Sequence, residues 1–508
     1  VSLSSGRAPA VFAVVVALAV SAWTPPGVAQ LSTTPTHGYL TDLFDIGWRR
    51  AGSPSAAAAA VYIKDHLEPL GYQTEVQEFE FPYFEVTEKS LTLDGARYEI
   101  DEIMYSGSTT AGGITAEVVE LDSADIAGKI ALIPFPQANP GWKNLSNTLK
   151  SDYARAVAEG AVAVIAEAPD RLYAASVSKA TWTPGAIPGV VALGARALIG
   201  KEPTLVLRSK VVSGIGRNVV AHRAGAGAET ILVLAHYDAW FGGAADNASG
   251  TAALLRAAEL LSEDPLQRGV TFLAVDGEEL GLLGSQAFIA DRDLSEIVGV
   301  VNLDMVSAKP SDVYEDAPGF QWRVVMTSET PPLMASAEAN AALNQVVHGP
   351  LSATLWEDGY GAFRTDYEWF YYQGVPGTWV ISEAAYYHTT EDKPDHVDPA
   401  DLENVSHMVA GVVRDMQTML LPRVTHLDVD ARMDAGTVTA TVGLAGRPRD
   451  GATVTVVGYR GRAEVSRSQV TAGEAGTYTA ELPPNAEYVR VHAAWNTLDG
   501  EAWLPVGD

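Results

Sequence analysis

The feature that most constrains the fold lies between Asn218 and Leu420, where apolar runs alternate with helical periodicity. Ile231–Ala235, Val270–Val275 and Val298–Leu303 are largely unbroken apolar stretches. A strand with one wet face alternates polar and apolar residues, whereas a strand covered on both faces does not. Between these runs, Ala248–Leu261 places Leu254, Leu255, Ala258 and Leu261 on one side of a helix, and Leu280–Ile289 is also expected to be helical. Pro331–Val346 reads as a helix, Thr378–Ile381 as a strand and Leu402–Leu420 as an amphipathic helix. The pattern predicts an α/β fold with a mostly parallel sheet flanked by helices.

The flanking regions have other textures. Ala56–Leu70 is an Ala-rich helical stretch that Gly71 should stop. Val76, Phe79 and Phe81 then read as a strand. From about residue 90 to 215, short strands dominate: Ile114–Leu121, Lys129–Pro134, Ala161–Ala166, Gly189–Leu193 and Thr204–Leu207, with one helix near Tyr153–Glu159. This stretch resembles the protease-associated (PA) domain. The resemblance is carried by Ala127-Gly128-Lys129-Ile130, Gly160 to Ile165 and Ile187-Pro188-Gly189-Val190 in that order. After Pro422, Val438, Ala440, Val442 and Leu444 alternate with polar residues, as do Val454 and Val456, Tyr478 to Leu482, and Val489 to Ala493. A small all-β sandwich without catalytic residues is expected there. The expected layout is residues 31–90 and 215–421 as the α/β domain, 91–214 as a PA-like insert and 424–508 as the C-terminal β domain.

Composition narrows the function. The 34 basic residues face 63 acidic ones, for a formal charge of −29. Such a surface repels phosphate backbones, which argues against nucleic acid as a partner. There are no cysteines, so thiol nucleophiles, thiolate metal ligands and disulfides are excluded together. Near the start, Arg7 precedes the apolar run Ala8–Trp23, and Gly27-Val28-Ala29 offers a small-x-Ala site. That layout predicts a signal peptide over residues 1–29, cleaved after Ala29, and a secreted or periplasmic protein. The run of roughly 16 residues is short for a membrane span.

Chemistry concentrates where the strands of the α/β segment end, the edge at which open parallel sheets build their sites. The first run ends in His236-Tyr237-Asp238, and a glycine-containing loop leads on to Asp246. The next ends in Asp276-Gly277-Glu278-Glu279, the third in Asn302-Leu303-Asp304, and a later loop carries Tyr387-His388-Thr389. Imidazole and carboxylate oxygen are good zinc ligands. Five such ligands, with one carboxylate shared, would hold two ions about 3.5–4 Å apart. Of the adjacent Glu278 and Glu279, one could be a base and the other a ligand. Each position has an ordinary alternative: Asp246 as a helix N-cap, Asp304 as a turn residue, His388 as a loop histidine, Glu278-Glu279 as a solvated pair. Their agreement along one edge outweighs these separate readings, and Asp304 directly follows an apolar run where an unpaired carboxylate is costly.

These motifs resemble the M28 family of zinc aminopeptidases and carboxypeptidases over roughly residues 35–420. The match runs through Arg50-Ala51-Gly52-Ser53, Ala235 to Asp238, Gly243 to Gly250, Glu278 to Ser285, Asn302 to Met305, Thr365-Asp366-Tyr367 and Tyr387 to Asp392. The resemblance implies a dinuclear zinc site in which Asp246 bridges both ions. Glu279 and His388 would complete one metal position, and His236 and Asp304 the other. Asp238 would orient His236, and Glu278 would be the general acid/base. Asp366, Tyr386 and Arg364 are candidate substrate residues, with Tyr387 a weaker candidate than Tyr386 for stabilising an oxyanion. Where this chain has Thr365-Asp366-Tyr367, the family often has a serine first, which leaves local substrate contacts open.

The implied activity is hydrolysis of peptide substrates, with removal of N-terminal residues favoured. Two rivals remain: a carboxypeptidase, for which Arg364 is a candidate clamp on the substrate carboxylate, and a glutaminyl cyclase-like acyltransferase with one zinc. A non-catalytic relative would be expected to have lost ligands, and none is missing. Neither a Gly-x-Ser-x-Gly elbow nor a His-Glu-x-x-His helix is present.

Overall fold

The central sheet grows from the three apolar runs. In the computed structural model the residues described are 34–505, apart from 136–141, 178–183, 308, 310–322, 327–329, 347–364, 383–385 and several short stretches beyond 423. The strands Thr230–His236, Gly269–Val275 and Ile297–Asp304 are almost wholly buried. They pair in parallel, and Gly377–Ile381 joins Ile297–Asp304 in the same sense. Arg323–Met326 closes one edge antiparallel. On the other side, Thr204–Arg223, Gln73–Leu93 and Ala96–Arg97 follow in antiparallel order. The sheet is therefore parallel in its middle and antiparallel at its margins. His236 and Asp304 are the last residues of neighbouring parallel strands and so arrive at one edge.

Burial on both faces explains why these strands read as continuous apolar runs. Successive strand side chains point to opposite faces. Ile231, Val233 and Ala235 join a core with Leu254, Leu255 and Ala258 of helix Gly250–Leu261 and Leu402, Val405 and Val409 of helix Pro399–Met416. Leu232 and Leu234 join a second core with Phe288, Tyr367 and Phe370. Three helices on the first face share one local signature. Thr34, Ser53 and Asp398 each precede a proline at the first helical position, and their side chains accept backbone N–H bonds from the first turn. The helix Pro35–Asp45 was not among the expected elements, although Thr34-Pro35 carried that signal.

Several expectations shift, among them the last helix, which spans Pro399–Met416 rather than Leu402–Leu420. The helix after Glu278-Glu279 begins at Leu283 rather than Leu280. Gly281 and Leu282 both have positive φ, and their N–H groups bond to the Glu278 carbonyl, so the glutamates sit on a tight turn. The Thr204–Leu207 run is not a separate short strand. It opens the 20-residue strand Thr204–Arg223, which pairs with Gln73–Leu93 from His222 to Thr204. These two strands run through the expected boundaries at 90/91 and 214/215, so the central sheet and the inserted region share continuous backbone.

Strands between residues 100 and 193 form a separate six-stranded sheet. Val118–Glu120, Ile130–Ile133, Ala163–Ala168 and Gly189–Leu193 are parallel, followed by Ile100–Met104 antiparallel and then Ala175–Ser176. Its helix, Trp142–Ala158, is longer than the stretch expected from sequence. Beyond 427, two four-stranded antiparallel sheets enclose a core containing Val438, Ala440, Val442, Val454, Val456, Tyr478, Val489 and Val491. Most of the residues that alternate in the sequence meet there. Among the described residues, no helix is long and apolar enough to cross a membrane.

Candidate metal centre

Five of the expected side chains converge into two buried groups that share one member. His236, Asp246 and Asp304 form one, and Asp246, Glu279 and His388 the other. The His236 Nε2 lies 3.3 Å from Asp246 Oδ1 and 3.5 Å from Asp304 Oδ1. The His388 Nε2 lies 2.8 Å from Asp246 Oδ2 and 3.0 Å from Glu279 Oε1. Asp246 thus presents one carboxylate oxygen to each histidine. It is not the N-cap of the following helix, which begins at Gly250 after Ser249. The chain leaves helical geometry at Asp246 and Asn247, which turns the carboxylate toward the sheet edge.

Close packing fixes that loop. Gly243 has a φ of +53°, and a Cβ there would sit 2.3 Å from the Asp246 carbonyl and 2.4 Å from Ala239. A Cβ on Gly250 would lie 2.6 Å from the Leu303 carbonyl. Only glycine lets the loop and the helix start approach the Asp304 strand this closely. Asn247 completes the seam: its amide donates to the Leu303 carbonyl, and its oxygen accepts from the Gly250 and Met305 N–H groups.

The donor sets fit a metal such as zinc. Ligand atoms about 2.0–2.1 Å from a tetrahedral ion stand roughly 3.4 Å from one another. The contacts within each group, 2.8–3.5 Å, match that spacing. Charge points the same way. Asp238, Asp246, Glu279 and Asp304 are buried around two buried imidazoles, with Glu278 partly buried beside them. Burial alone would lower the His236 pKa, but Glu278, Asp238, Asp246 and Asp304 outweigh it and hold the imidazole protonated well above its usual range. Burial would raise Asp246, yet the two histidines hold it well below the usual carboxylate range. So many buried acids need cationic compensation, and divalent ions would supply it in place of protons.

Residues around the donors orient them. The His236 Nδ1 lies 3.1 Å from the Asp238 main-chain carbonyl and 3.5 Å from its carboxylate. The Asp238 carboxylate accepts the N–H groups of Glu278 and Glu279 at 3.1 and 3.3 Å. Asp238 therefore faces the histidine with both its backbone carbonyl and its carboxylate, and holds the Glu278-Glu279 turn through its side chain. Burial, Glu279, Asp304 and Asp366 hold the Glu278 carboxyl well above its usual range against the pull of His236.

Among the other candidates, Asp366 is fully buried and accepts a 2.7 Å hydrogen bond from the Ser285 hydroxyl. It ties its turn to the helix behind Glu279 and does not face solvent. Tyr387 is stacked on the His388 ring at 3.6 Å. Tyr386 instead packs on His396 at 3.9 Å and under Arg171, so Tyr387 is the tyrosine beside the donors. Arg364 lies outside the described residues.

Three supporting residues carried no role in the sequence reading. Arg49 is fully buried and donates to the carbonyls of Tyr237, Leu43, Gly242 and Gly243 at 2.8–2.9 Å. Asp392 accepts the N–H groups of Ala245 and Asp246 at 2.7 and 3.0 Å. Trp240 donates its indole N–H to Glu279 Oε2 at 2.7 Å. Asp392 lay within a matched motif. Neither Arg49 nor Trp240 shows a local pattern that distinguishes it from a surface arginine or a core tryptophan.

An α/β sheet with two buried His–carboxylate groups at the carboxyl ends of its parallel strands has the layout of a metal-dependent hydrolase. Residues 218–413 match the family model for peptidase family M28. A probable lipoprotein aminopeptidase LpqL of Mycobacterium tuberculosis is 26% identical over 389 residues, covering 70% of this chain and 75% of the relative. Aminopeptidase YwaD of Bacillus subtilis is 27% identical over 395 residues, covering 72% and 81%. The solved structure of BSAP, a zinc aminopeptidase from Bacillus subtilis, superposes with a TM-score of 0.61 at 22% identity, covering 78% of this chain and 98% of that one. Residues 218–413 are thus similar to peptidase family M28, and the chain is a peptidase.

Proposed function

We propose that the protein is a secreted dinuclear zinc aminopeptidase in which Glu278 is the general base. The observation that carries this reading is Asp246, whose two carboxylate oxygens face His236 on one side and His388 on the other. In this reading His236, Asp246 and Asp304 hold one ion, and Asp246, Glu279 and His388 the other. When bound, zinc acidifies water and polarises a carbonyl. Glu278 takes the proton of the attacking water on its carboxylate and returns it to the leaving amine. Its position beside the donors, with its N–H held by Asp238, suits that exchange. Tyr387, whose ring stacks on His388, is the better placed tyrosine for its hydroxyl to donate toward the developing oxyanion.

Cleavage from the amino end is supported by relatives that are named aminopeptidases. The acidic balance of the chain suits a cationic peptide N-terminus. The sheet of residues 100–193 is assigned in this reading to a PA-like insert at the rim of the site, and the two sheets beyond 427 to a separate C-terminal domain. Export is supported by the Arg7 and Ala8–Trp23 pattern and by the lipoprotein relative.

The test combines metal analysis with a peptide panel. The parent should carry two zinc ions and release the first residue of free peptides but not of N-blocked ones. Glu278→Gln should retain both ions and lose about 10²–10⁴-fold in kcat. Activity that survives both zinc removal and Glu278→Gln would exclude the mechanism. Cleavage of N-blocked but not C-blocked peptides would shift the reading to a carboxypeptidase.

A further inference from the structure

The two donor groups are supported by different parts of the molecule. His236 and Asp304 are terminal residues of adjacent central strands, fixed by the parallel ladder. Glu279 and His388 lie on a turn and a loop. Glu279 receives the indole N–H of Trp240 at 2.7 Å. Trp240 is buried in a core with Tyr105, Tyr153, Tyr173 and Leu280, most of whose members come from the inserted region. Its ring also lies 6.1 Å from that of His388.

His388 is held by the inserted region through its backbone. Its φ is +57°, a conformation that a non-glycine residue keeps only when its surroundings enforce it. Its carbonyl accepts the Ala174 N–H at 2.9 Å, and the Thr390 N–H donates to the Leu172 carbonyl at 3.0 Å. Tyr173 and Thr389 form the antiparallel bridge between these bonds. The 172–174 segment thus adds a short strand to the loop that carries the ligand. Tyr173 is anchored in turn by Phe135, at 5.8 Å between ring centroids, and by its hydroxyl on the Glu167 carbonyl.

We propose that the inserted region is a working part of the metal centre: through Trp240 and the 172–174 backbone it sets the affinity of the Glu279–His388 position for zinc, while the His236–Asp304 position is set by the central sheet. The inference rests on the two-ion reading above. Trp240 and Ala174 are positioning residues, because they act through Glu279 and His388. Metal affinity falls about 10–100-fold when partners that orient ligands are removed, and here the loss is confined to one of two ions.

Stepwise zinc binding to the metal-free full chain, measured by competition with a chromogenic chelator, tests this directly. Cobalt substitution gives a second, spectroscopic readout. Trp240→Phe keeps an aromatic ring in the core but removes the N–H together with part of the indole. Ala174→Pro deletes the N–H that reaches His388. Each variant should weaken one binding step by 10–100-fold and leave the other within about threefold. Added zinc should restore the activity of Trp240→Phe. Equal weakening of both steps, or no weakening of either in Trp240→Phe, overturns the proposal. A parent that binds a single ion overturns the two-ion reading and this inference with it, a result distinct from the others because it appears before any variant is made.

Discussion

Replacing Arg49 with methionine removes a cation that no sequence motif marks as part of the site. Methionine retains most of the apolar stem, so the change isolates the guanidinium. Arg49 makes four hydrogen bonds to carbonyl oxygens, three of them on the loop between His236 and Asp246. Hydrogen bonds involving a charged group contribute about 1.5–3 kcal/mol each. Burial opposes them: desolvation brings the guanidinium down to about 10, against the pull of Asp392, Asp238 and Asp246. A shift of that size corresponds to roughly 3 kcal/mol. The balance is a net contribution on the order of 3–9 kcal/mol. The lower end is expected, because water can reach some of the freed carbonyls. Domain stabilities of about 5–15 kcal/mol make that a large fraction. Urea unfolding followed by tryptophan emission should show the loss in the transition of the α/β domain, and zinc should bind more weakly at both positions. Arg49→Lys, which keeps the charge without the planar fork, should fall between the two. If Arg49→Met unfolds within about 1 kcal/mol of the parent and binds zinc equally well, the idea that this cation fixes the loop is wrong.

Other outcomes follow from the same geometry. Asp246→Ala should weaken both zinc-binding steps, whereas Asp304→Asn should weaken one; a titration in which the two variants behave alike would separate Asp246 from its bridging role. Chelation should lower the melting temperature and zinc should restore it, by an amount equivalent to about 4 kcal/mol when zinc exceeds its Kd a thousandfold. A melting temperature indifferent to both would mean that the donors are not loaded. Beside the strand Ile100–Met104, Arg50 and Lys89 hold buried Glu102 at about 2 despite its burial, while burial and Glu102 push Asp101 up to about 8 against Lys89. An acid raised in the folded state stabilises most below its unfolded pKa, so the Asp101 contribution should be lost as pH rises from about 4 through 8. Asp101→Asn should flatten that decline in melting temperature, and an unchanged slope would contradict it.

Part of the site was legible in the sequence because two of its side chains, His236 and Asp304, are the last residues of apolar strands. A strand buried on both faces must be apolar along its length, so His236 and Asp304 stand out where the run stops. The same logic exposed the β-sandwich, where Val438, Ala440 and Val442 alternate because one face is wet. The helices expected from Ala56 and Leu402 begin two and three residues earlier, at Pro54 and Pro399, where a side-chain cap and its proline act within one turn.

The central sheet, and the acidic and histidine side chains gathered at its edge, could be read from the chain alone, because hydrophobic period and strand-end chemistry are properties of neighbouring residues. The tertiary structure decided the rest. It divided Asp246 between two histidines, turned the Asp238 carboxylate onto the Glu278-Glu279 turn, and buried Asp366 against Ser285. It brought Arg49, Trp240 and the 172–174 segment to the ligands from distant parts of the chain. Those contacts join residues far apart in the sequence, and they leave no periodic trace in the residues that make them.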